Sequence, residues 1–492
     1  MAVDSVHDEY RKALPKWEMI DDIVEGEDAV KEAGTKYVPS LGGQTPGEYS
    51  AYIQRGNFFN AYSRTLQGLI GYVFRKEAET VIPPQIEKIK SSLMSTGQAL
   101  KDLDEIVATM IFKYGRAGLL TDVDAKGLPY VAVYSPHAII NWKTTFVDGR
   151  EVLTRLVLKE TVTAQDPKDR FNDVVIDRYR VFELRDGVVV VSVWTKQEAT
   201  GTWLSTNEII PTIKNKALTE IKFNIIGSEA NLMQVNKPPL IDLAYANVAH
   251  WRLSVDYNHG LHYCALPTPW AAGFPTKEDN ELSIGPVHAW ISPDPAARCG
   301  YLEFTGTGLA AISTARSECK DEMAILGARI IEQTRAKVET AETAKIRQSS
   351  ESGAIVTIVN NISTGLTRTL KHIADFLSIE VPVEQNYTRL STDFIDTSIT
   401  PHEVVALLSV LQAGKMSLDT FLHNLKQGEI LPEGRSIDDE KDLIDEDMKR
   451  AALNMLPVPE KPNKSKKVSQ TETVGGIRTG SSVAADYSTY NR

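Results

Sequence analysis

Only three cysteines, Cys264, Cys299 and Cys319, occur in 492 residues, and no CxxC pair is among them. That excludes a disulfide framework and points to a reducing compartment. Long apolar runs are missing too. No stretch approaches the roughly 20 apolar residues that cross a bilayer, and MAVDSVHDEYRKALPKWEMI has no basic segment leading into an apolar one. Neither membrane association nor an export signal is expected. Positive charge is also short, with 54 Lys and Arg against 65 Asp and Glu, a net charge of -11. A protein that coats nucleic acid by neutralising phosphates is thereby disfavoured, but not one past which nucleic acid slides.

Catalytic signatures are equally scarce. The nearest approach to a phosphate-cradling loop is QAGKMS, where Gly414-Lys415 lacks both an upstream glycine and an adjacent hydroxyl. Gly414 reads better as a helix C-cap. No GxSxG, HExxH or calcium-loop pattern occurs. Ser317 and Lys320 match a Ser-x-x-Lys spacing, but mid-helix and without companion motifs. His250, His259 and His262 share one helix, and Asp256 and Cys264 near them complete no known metal spacing. Tyr245, Trp251, Tyr257 and Tyr263 lack interleaved basic residues apart from Arg252, which suits packing better than base stacking. The expectation is a non-enzymatic chain with no metal and no cofactor.

What is present is a globular composition, 42% hydrophobic and 24% charged, in a chain long enough for two or more subdomains. Residues up to about Lys113 read as helical. GEYSAYIQRGNFFNAYSRTLQGLIGYVFRK carries Tyr52, Phe59, Leu66, Ile70 and Phe74 near helical spacing, and TGQALKDLDEIVATMIFKYG repeats the pattern up to Gly115. The period then shortens in LLTDVD, PYVAVYS and AIINWK, which predicts strands. RYRVFELRDGVVVVSVWTK predicts a hairpin turning at Asp186-Gly187.

The helical period returns after Pro238-Pro239 in LIDLAYANVAHWRLSVDYNHGLHYCA and again in LAAISTARSECKDEMAILGARIIEQ. Between them lies a proline-broken stretch with β-like runs HAWIS and GYLEF. Two rods of about 35 Å bracketing a small β module predict a protruding arm. Ile312, Cys319, Met323, Leu326 and Ile330 form a one-sided stripe on the second rod, and Leu243 and Trp251 are the packing candidates on the first.

The segment that follows, RAKVETAETAKIRQSSESGA, has Val338 and Ile346 as its only large aliphatics. It interrupts an otherwise regular helical region, since IVTIVNNISTGLTRTLKHIADFL is again striped. It reads either as an exposed helix start carrying charge pairs or as a loop projecting into water. Thr400, Pro401 and Glu403 then form a capping box opening VVALLSVLQAG, Ser417 opens LDTFLHNLKQG, and Gly428 closes a helical hairpin. The tail from about Pro457, rich in Pro, Lys, Ser and Gly, is expected to be disordered.

In this order the chain resembles the portal proteins of tailed bacteriophages, the head-to-tail connectors. The resemblance runs from about Gly47 to Arg450 and is carried by FFNAYSRTLQGLIGYVFRK, YGRAGLLTDVD, YVAVYSPHAIINWK, GYLEFTGTGL and ETAKIRQSSESGA. It implies an α+β, predominantly helical fold with these parts: wing 1–238, stem helix 239–265, clip 266–308, second stem helix 309–332, tunnel loop 333–350, long wing helix and return 351–395, crown 396–455 and disordered tail 456–492. It further implies a ring of twelve copies at the portal vertex of the virion, assembled in the host cytoplasm. Double-stranded DNA would pass through it without sequence recognition. Its partners would be the terminase large subunit, neck or adaptor proteins, and the major capsid and scaffolding proteins.

Under this resemblance Arg335, Lys337, Lys345 and Arg347 meet phosphates transiently, while Glu339 and Glu342 prevent a tight grip, because neutralising several phosphates would slow release by orders of magnitude. Twelve copies at -11 each give about -130 per ring, a field that discourages sticking. The stem residues Ile312, Cys319, Met323, Leu326, Ile330, Leu243 and Trp251 would pack within and between subunits. Two other classes stay open: a different virion part such as a minor head or neck adaptor, and a Ser/Lys hydrolase.

Overall fold

The amphipathic runs at the start of the chain form α1 (Asp8–Glu25), α2 (Glu27–Ala33), α3 (Pro46–Gln54) and α4 (Ala61–Val73). The computed structural model describes residues 3–166, 169–197, 200–205, 208–266, 268–274, 289–302, 306–331, 341–392, 401–428, 430–432 and 435–454. Thr45 and Glu48 close a capping box on α3, with Pro46 in its first turn. The helical spacing from Tyr52 to Phe74 spans two helices rather than one. They part at Gly56–Asn60, where a Cβ on Gly56 would stand 2.5 Å from both Trp251 and Val255. Asn60 then caps α4 by accepting from Ser63 N.

β1 (Glu79–Val81) and α5 (Pro84–Glu87) lead to α6 (Leu100–Tyr114). Gly115 ends α6 in the left-handed conformation, φ 82, and a Cβ there would also meet the Lys237 carbonyl at 2.8 Å. Only glycine satisfies both demands.

β2 (Arg116–Val123) and β3 (Pro129–Tyr134) belong to a three-stranded sheet, and β4 (Ile139–Val147), β5 (Arg150–Asp166), β6 (Asp169–Arg185), β7 (Val188–Lys196) and β8 (Trp203–Ser205) form a five-stranded antiparallel one in chain order. Asp186 and Gly187, φ 50 and 77, make the expected two-residue turn between β6 and β7, with positive φ at both central positions. A small hairpin, β9 (Thr212–Ile213) with β10 (Lys216–Ala217), precedes β11 (Phe223–Gly227), which pairs with β2. Strand β2 is therefore central, and its first six residues are buried.

Then come α7 (Ile241–Ala265), β12 (Thr268–Ala272), β13 (Arg298–Leu302), α8 (Thr307–Ile331), α9 (Ala341–Leu377) and β14 (Tyr387–Arg389). The partner of β13 is TPWAA, not HAWIS, whose described residues 289–292 are irregular. A two-stranded sheet tolerates Pro269 because each strand has an open edge. Helix α9 begins at Ala341, so residues 341–350 of the expected loop are helical. Ala, Glu, Lys, Arg and Gln there favour helix by propensity without an apolar stripe.

Strand β14 returns to pair with β1 more than 300 residues away. Gly365 of α9 meets Ile226 of β11 so closely that a Cβ would lie 2.4 Å from it, and Asn224 Nδ2 donates to Thr369 Oγ1 at 3.0 Å. The core centres on Trp17, Tyr52, Tyr62, Phe112 and Trp251, all essentially solvent-free.

The chain divides into two compact units, Met1–Ile395 and Asp396–Arg492. The second holds α10 (Pro401–Gln412), α11 (Leu418–Gln427) and α12 (Ile437–Asn454). Ser417 caps α11 and Gly428 closes it, while the acidic stretch DDEKDLIDED is helical. Thr400 and residues 455–492 lie outside the described residues. The fold is α+β, with helices predominating.

Candidate functional site

Helix α7 contains 25 residues, about 37 Å, and two environments. From Ile241 to Val255 it is embedded, with Leu243, Ala244, Val248, Trp251 and Val255 at 4% exposure or less. Beyond Val255 no residue is buried. The segment between α3 and α4 holds the transition. Asn247, wholly buried, accepts from Ala61 N at 3.0 Å and Tyr62 N at 3.1 Å and donates to the Phe59 carbonyl at 3.0 Å. These are N–H groups that the start of α4 cannot satisfy itself.

Farther along, Ser254 Oγ accepts from Asn57 N at 3.1 Å, Asn258 donates to the Arg55 carbonyl at 2.8 Å, and the Tyr52 hydroxyl donates to Asp256. Arg252 donates to the Tyr37 carbonyl. The root of the arm is thus clamped by a ladder of polar bonds on an apolar helix.

Helix α8 runs alongside. Met323 is buried at 1% and Gly327 passes Thr65, whose Oγ1 would be 2.8 Å from an added Cβ. Cys319 donates to the Ala246 carbonyl at 3.3 Å. Arg316 lies 4.3 Å above the Tyr257 ring and Lys320 4.9 Å above Phe59, contacts that hold cations against aromatic faces. These two cations, after burial itself, depress the His250 pKa. Nearer the tip, Gly260 lets Leu309 within 2.6 Å of where a Cβ would stand, drawing α7 and α8 together.

The tip is bare. Every residue of β12 and β13 is partly or fully exposed. Trp270 (43%), Tyr301 (57%), Leu302 (57%) and Ile291 (84%) face solvent there. A cleft of about 690 Å³ lies where α7 and α8 meet the Leu41–Gln44 turn, lined also by Glu48, His259, Tyr263 and Leu309. His259 has Arg55 Nη1 at 3.3 Å from Nδ1 and edge-on contacts with Tyr52 and Tyr263. Burial, Arg55 and His262 lower its pKa against the opposing pull of Asp256.

Of the sequence-predicted residues, Leu243, Trp251 and Met323 are buried within the protomer, while Ile312, Cys319 and Leu326 are half-buried. Ile330 lies in the last turn of α8. Arg335, Lys337 and Glu339 lie outside the described residues, and Glu342, Lys345 and Arg347 belong to the first turns of α9. The packing candidates divide by face, and the most buried ones have no surface left to offer a neighbour. Asn247 and the glycines at the α7–α8 crossing were not singled out by sequence reasoning. An amide inside the run LIDLAYANVAHW was the available signal. Ser317 is exposed on α8, and Lys320 is engaged with Phe59. Among the described residues no three His, Cys, Asp or Glu side chains converge as metal ligands, and no helix is long and apolar enough to cross a membrane.

Residues 239–377, from α7 to the end of α9, match the family described as Domain of unknown function (DUF4055). No curated protein matches the chain. It is similar to a chain in the virion of a native gene transfer agent (GTA) particle, at 10% identity and TM-score 0.38, over 81% of this chain and 97% of that one. A chain in the neck of the empty GTA particle, computed with C6 symmetry, is 12% identical with TM-score 0.36 over 78% and 93% of the two chains. A chain in the neck of the native GTA particle, computed with C12 symmetry, is 11% identical with TM-score 0.32 over 80% and 96%.

Proposed function

We propose that the chain is a portal-type subunit: copies close into a ring, twelve on the resemblance, at one capsid vertex. Double-stranded DNA passes through the ring during packaging and ejection. The arm docks first the packaging terminase and later the neck proteins, and capsid and scaffolding proteins surround the wing. The role is mechanical, without catalysis and without sequence recognition.

One observation carries the reading. The arm is clamped at its root by buried polar bonds, yet ends in a two-stranded sheet with no buried residue, which exposes Trp270, Tyr301 and Leu302, and in the irregular run 289–292, which exposes Ile291. A two-stranded sheet is marginal in water, and this one exposes large apolar side chains on both faces, Trp270 and Leu302 on one and Tyr301 on the other, as an interaction surface does. Repetition of the chain around an axis supplies cover for each arm from its neighbours. The charged segment 335–350, whose residues 341–350 open α9 without an apolar stripe, suits a wet channel wall.

Negative-stain images and native mass spectrometry of the purified full chain test this. The expected result is a ring with an axial hole and a stem narrower than its collar. A chain that stays a single copy across concentrations and salt conditions contradicts the proposal.

A further inference from the structure

Two histidines of α7 sit where that helix is held, and each meets cations from a different neighbour. His250 is 7% exposed, and its Nδ1 is buried without a partner. Its ring lies 5.9 Å from that of Phe59, over which Lys320 of α8 and Arg64 of α4 sit at 4.9 and 5.3 Å. Arg316, one turn before Lys320, covers Tyr257 at 4.3 Å. Arg316, Cys319, Lys320 and Met323 share one side of α8, whereas Glu318, Asp321 and Glu322 are exposed. Glu322 acts on Cys319 rather than on His250. A charged His250 would therefore bury an unpaired N–H among cations.

His259, farther along α7, is the second. Arg55 Nη1, at the end of α3, lies 3.3 Å from its Nδ1. A guanidinium only donates, so that nitrogen accepts and the ring is neutral. Around it stand Tyr52 of α3, Asp256, His262 and Tyr263 of α7, and Glu48 at the same cleft. Asp256 favours a charged ring but already accepts from the Tyr52 hydroxyl, and Glu48 is held in its capping box with Thr45. The α8 side chains at this cleft, Thr307, Leu309 and Ile312, are uncharged. Protonation turns the Arg55 bond into a contact between two cations.

Both imidazoles are thus packed to be neutral, one at each seam of the arm root. We propose that His250 and His259 form an acid-released latch: protonation parts α7 from α8 and from α3, freeing the arm while the body of the unit keeps its fold. Burial lowers the pKa of both, reinforced by Arg316 and Lys320 at His250 and by Arg55 and His262 at His259. The closed arm therefore binds fewer protons than the open one. Closure has its full strength above the ordinary histidine value of about 6.5 and weakens as pH falls below it. The latch belongs to the single protomer, so it stands or falls apart from the ring reading.

Hydrogen exchange of the full chain, corrected for the intrinsic pH dependence of amide exchange, tests this. His372 of α9, whose pKa burial lowers to about 3, weakens the whole unit over the same range, so α6 and α9 peptides give the baseline. Between about pH 7.5 and about pH 5, the amides of residues 248–264 and 309–327 are expected to lose about tenfold more protection than that baseline. This corresponds to a tenfold weaker proton affinity in the closed arm. His250→Gln with His259→Gln is expected to abolish the extra loss. Arg55→Gln with Lys320→Gln keeps both histidines and shrinks it, because fewer cations oppose the protons; lost packing alone would lower protection equally at both pH values. An extra loss absent from the wild type, or of wild-type size in either double variant, overturns the latch.

Discussion

Ile325 stands on the outer side of α8 and is 50% exposed. Its neighbour in sequence, Leu326, packs against the core. Replacing Ile325 by glutamate leaves the protomer nearly unchanged, because exposed substitutions away from special features alter stability by only about 0.5 kcal/mol. In a ring that covers this side of the arm the consequence is larger. Full burial of an isoleucine stabilises by roughly 1.5–3 kcal/mol, so the exposed half contributes about 1 kcal/mol at each contact. A carboxylate taken there without a partner costs about 2 kcal/mol or more besides.

The sum, about 3 kcal/mol, is on the order of a hundredfold per contact, and every copy in the ring suffers it. The expected outcome is an unchanged thermal unfolding profile for the protomer and loss of rings in native mass spectrometry at concentrations where the wild type assembles. Rings forming at the wild-type concentration would refute the placement of this face at a subunit contact. Leu326→Glu, by contrast, drives charge toward the core and is expected to lose fold and ring together.

Asn247→Ala strands the Tyr62 N–H at the root of the arm, while the Phe59 carbonyl keeps Ala61 N as donor, and is expected to destabilise the larger unit by about 1–3 kcal/mol, read by urea unfolding. Asp104 is buried on α6 with one oxygen unpartnered, and burial raises its pKa to about 7 against the weaker pull of Lys90. Because the folded state holds the proton more tightly than the unfolded one, this residue's destabilising effect grows as pH rises from about 4 to 7 and is constant above that. Asp104→Asn should therefore raise thermal stability at pH 8 and leave it almost unchanged at pH 4; equal gains at both would contradict the assignment. Lys337→Ala with Lys345→Ala should preserve rings but alter genome packaging or retention, and unchanged packaging would remove both lysines from the channel.

Local chemistry was legible in the sequence wherever one residue settles the backbone. Gly115 closes α6, Asp186-Gly187 turns the hairpin, and Ser417 and Gly428 bound α11. Features fixed from far away were not. The break between α3 and α4 preserves helical spacing through Phe59 and Leu66, and its cause, the lack of room beside Gly56, comes from Trp251 on another helix. Strand β1 finds its partner at Tyr387–Arg389, a pairing no local pattern announces. The start of α9 was obscured for the opposite reason: residues 341–350 favour helix by propensity but carry no apolar stripe. In the arm, two rods and a small β module were legible as a sequence order. Which of their apolar residues face inward was not, because Leu243, Trp251 and Met323 look the same in sequence as Ile325 and Trp270.

The most direct measurement is the mass of the purified full-length chain under native conditions, with an image of the same sample viewed down its symmetry axis. A single closed multimer with a central opening is the result required. A protomer that never associates at any concentration would contradict the account.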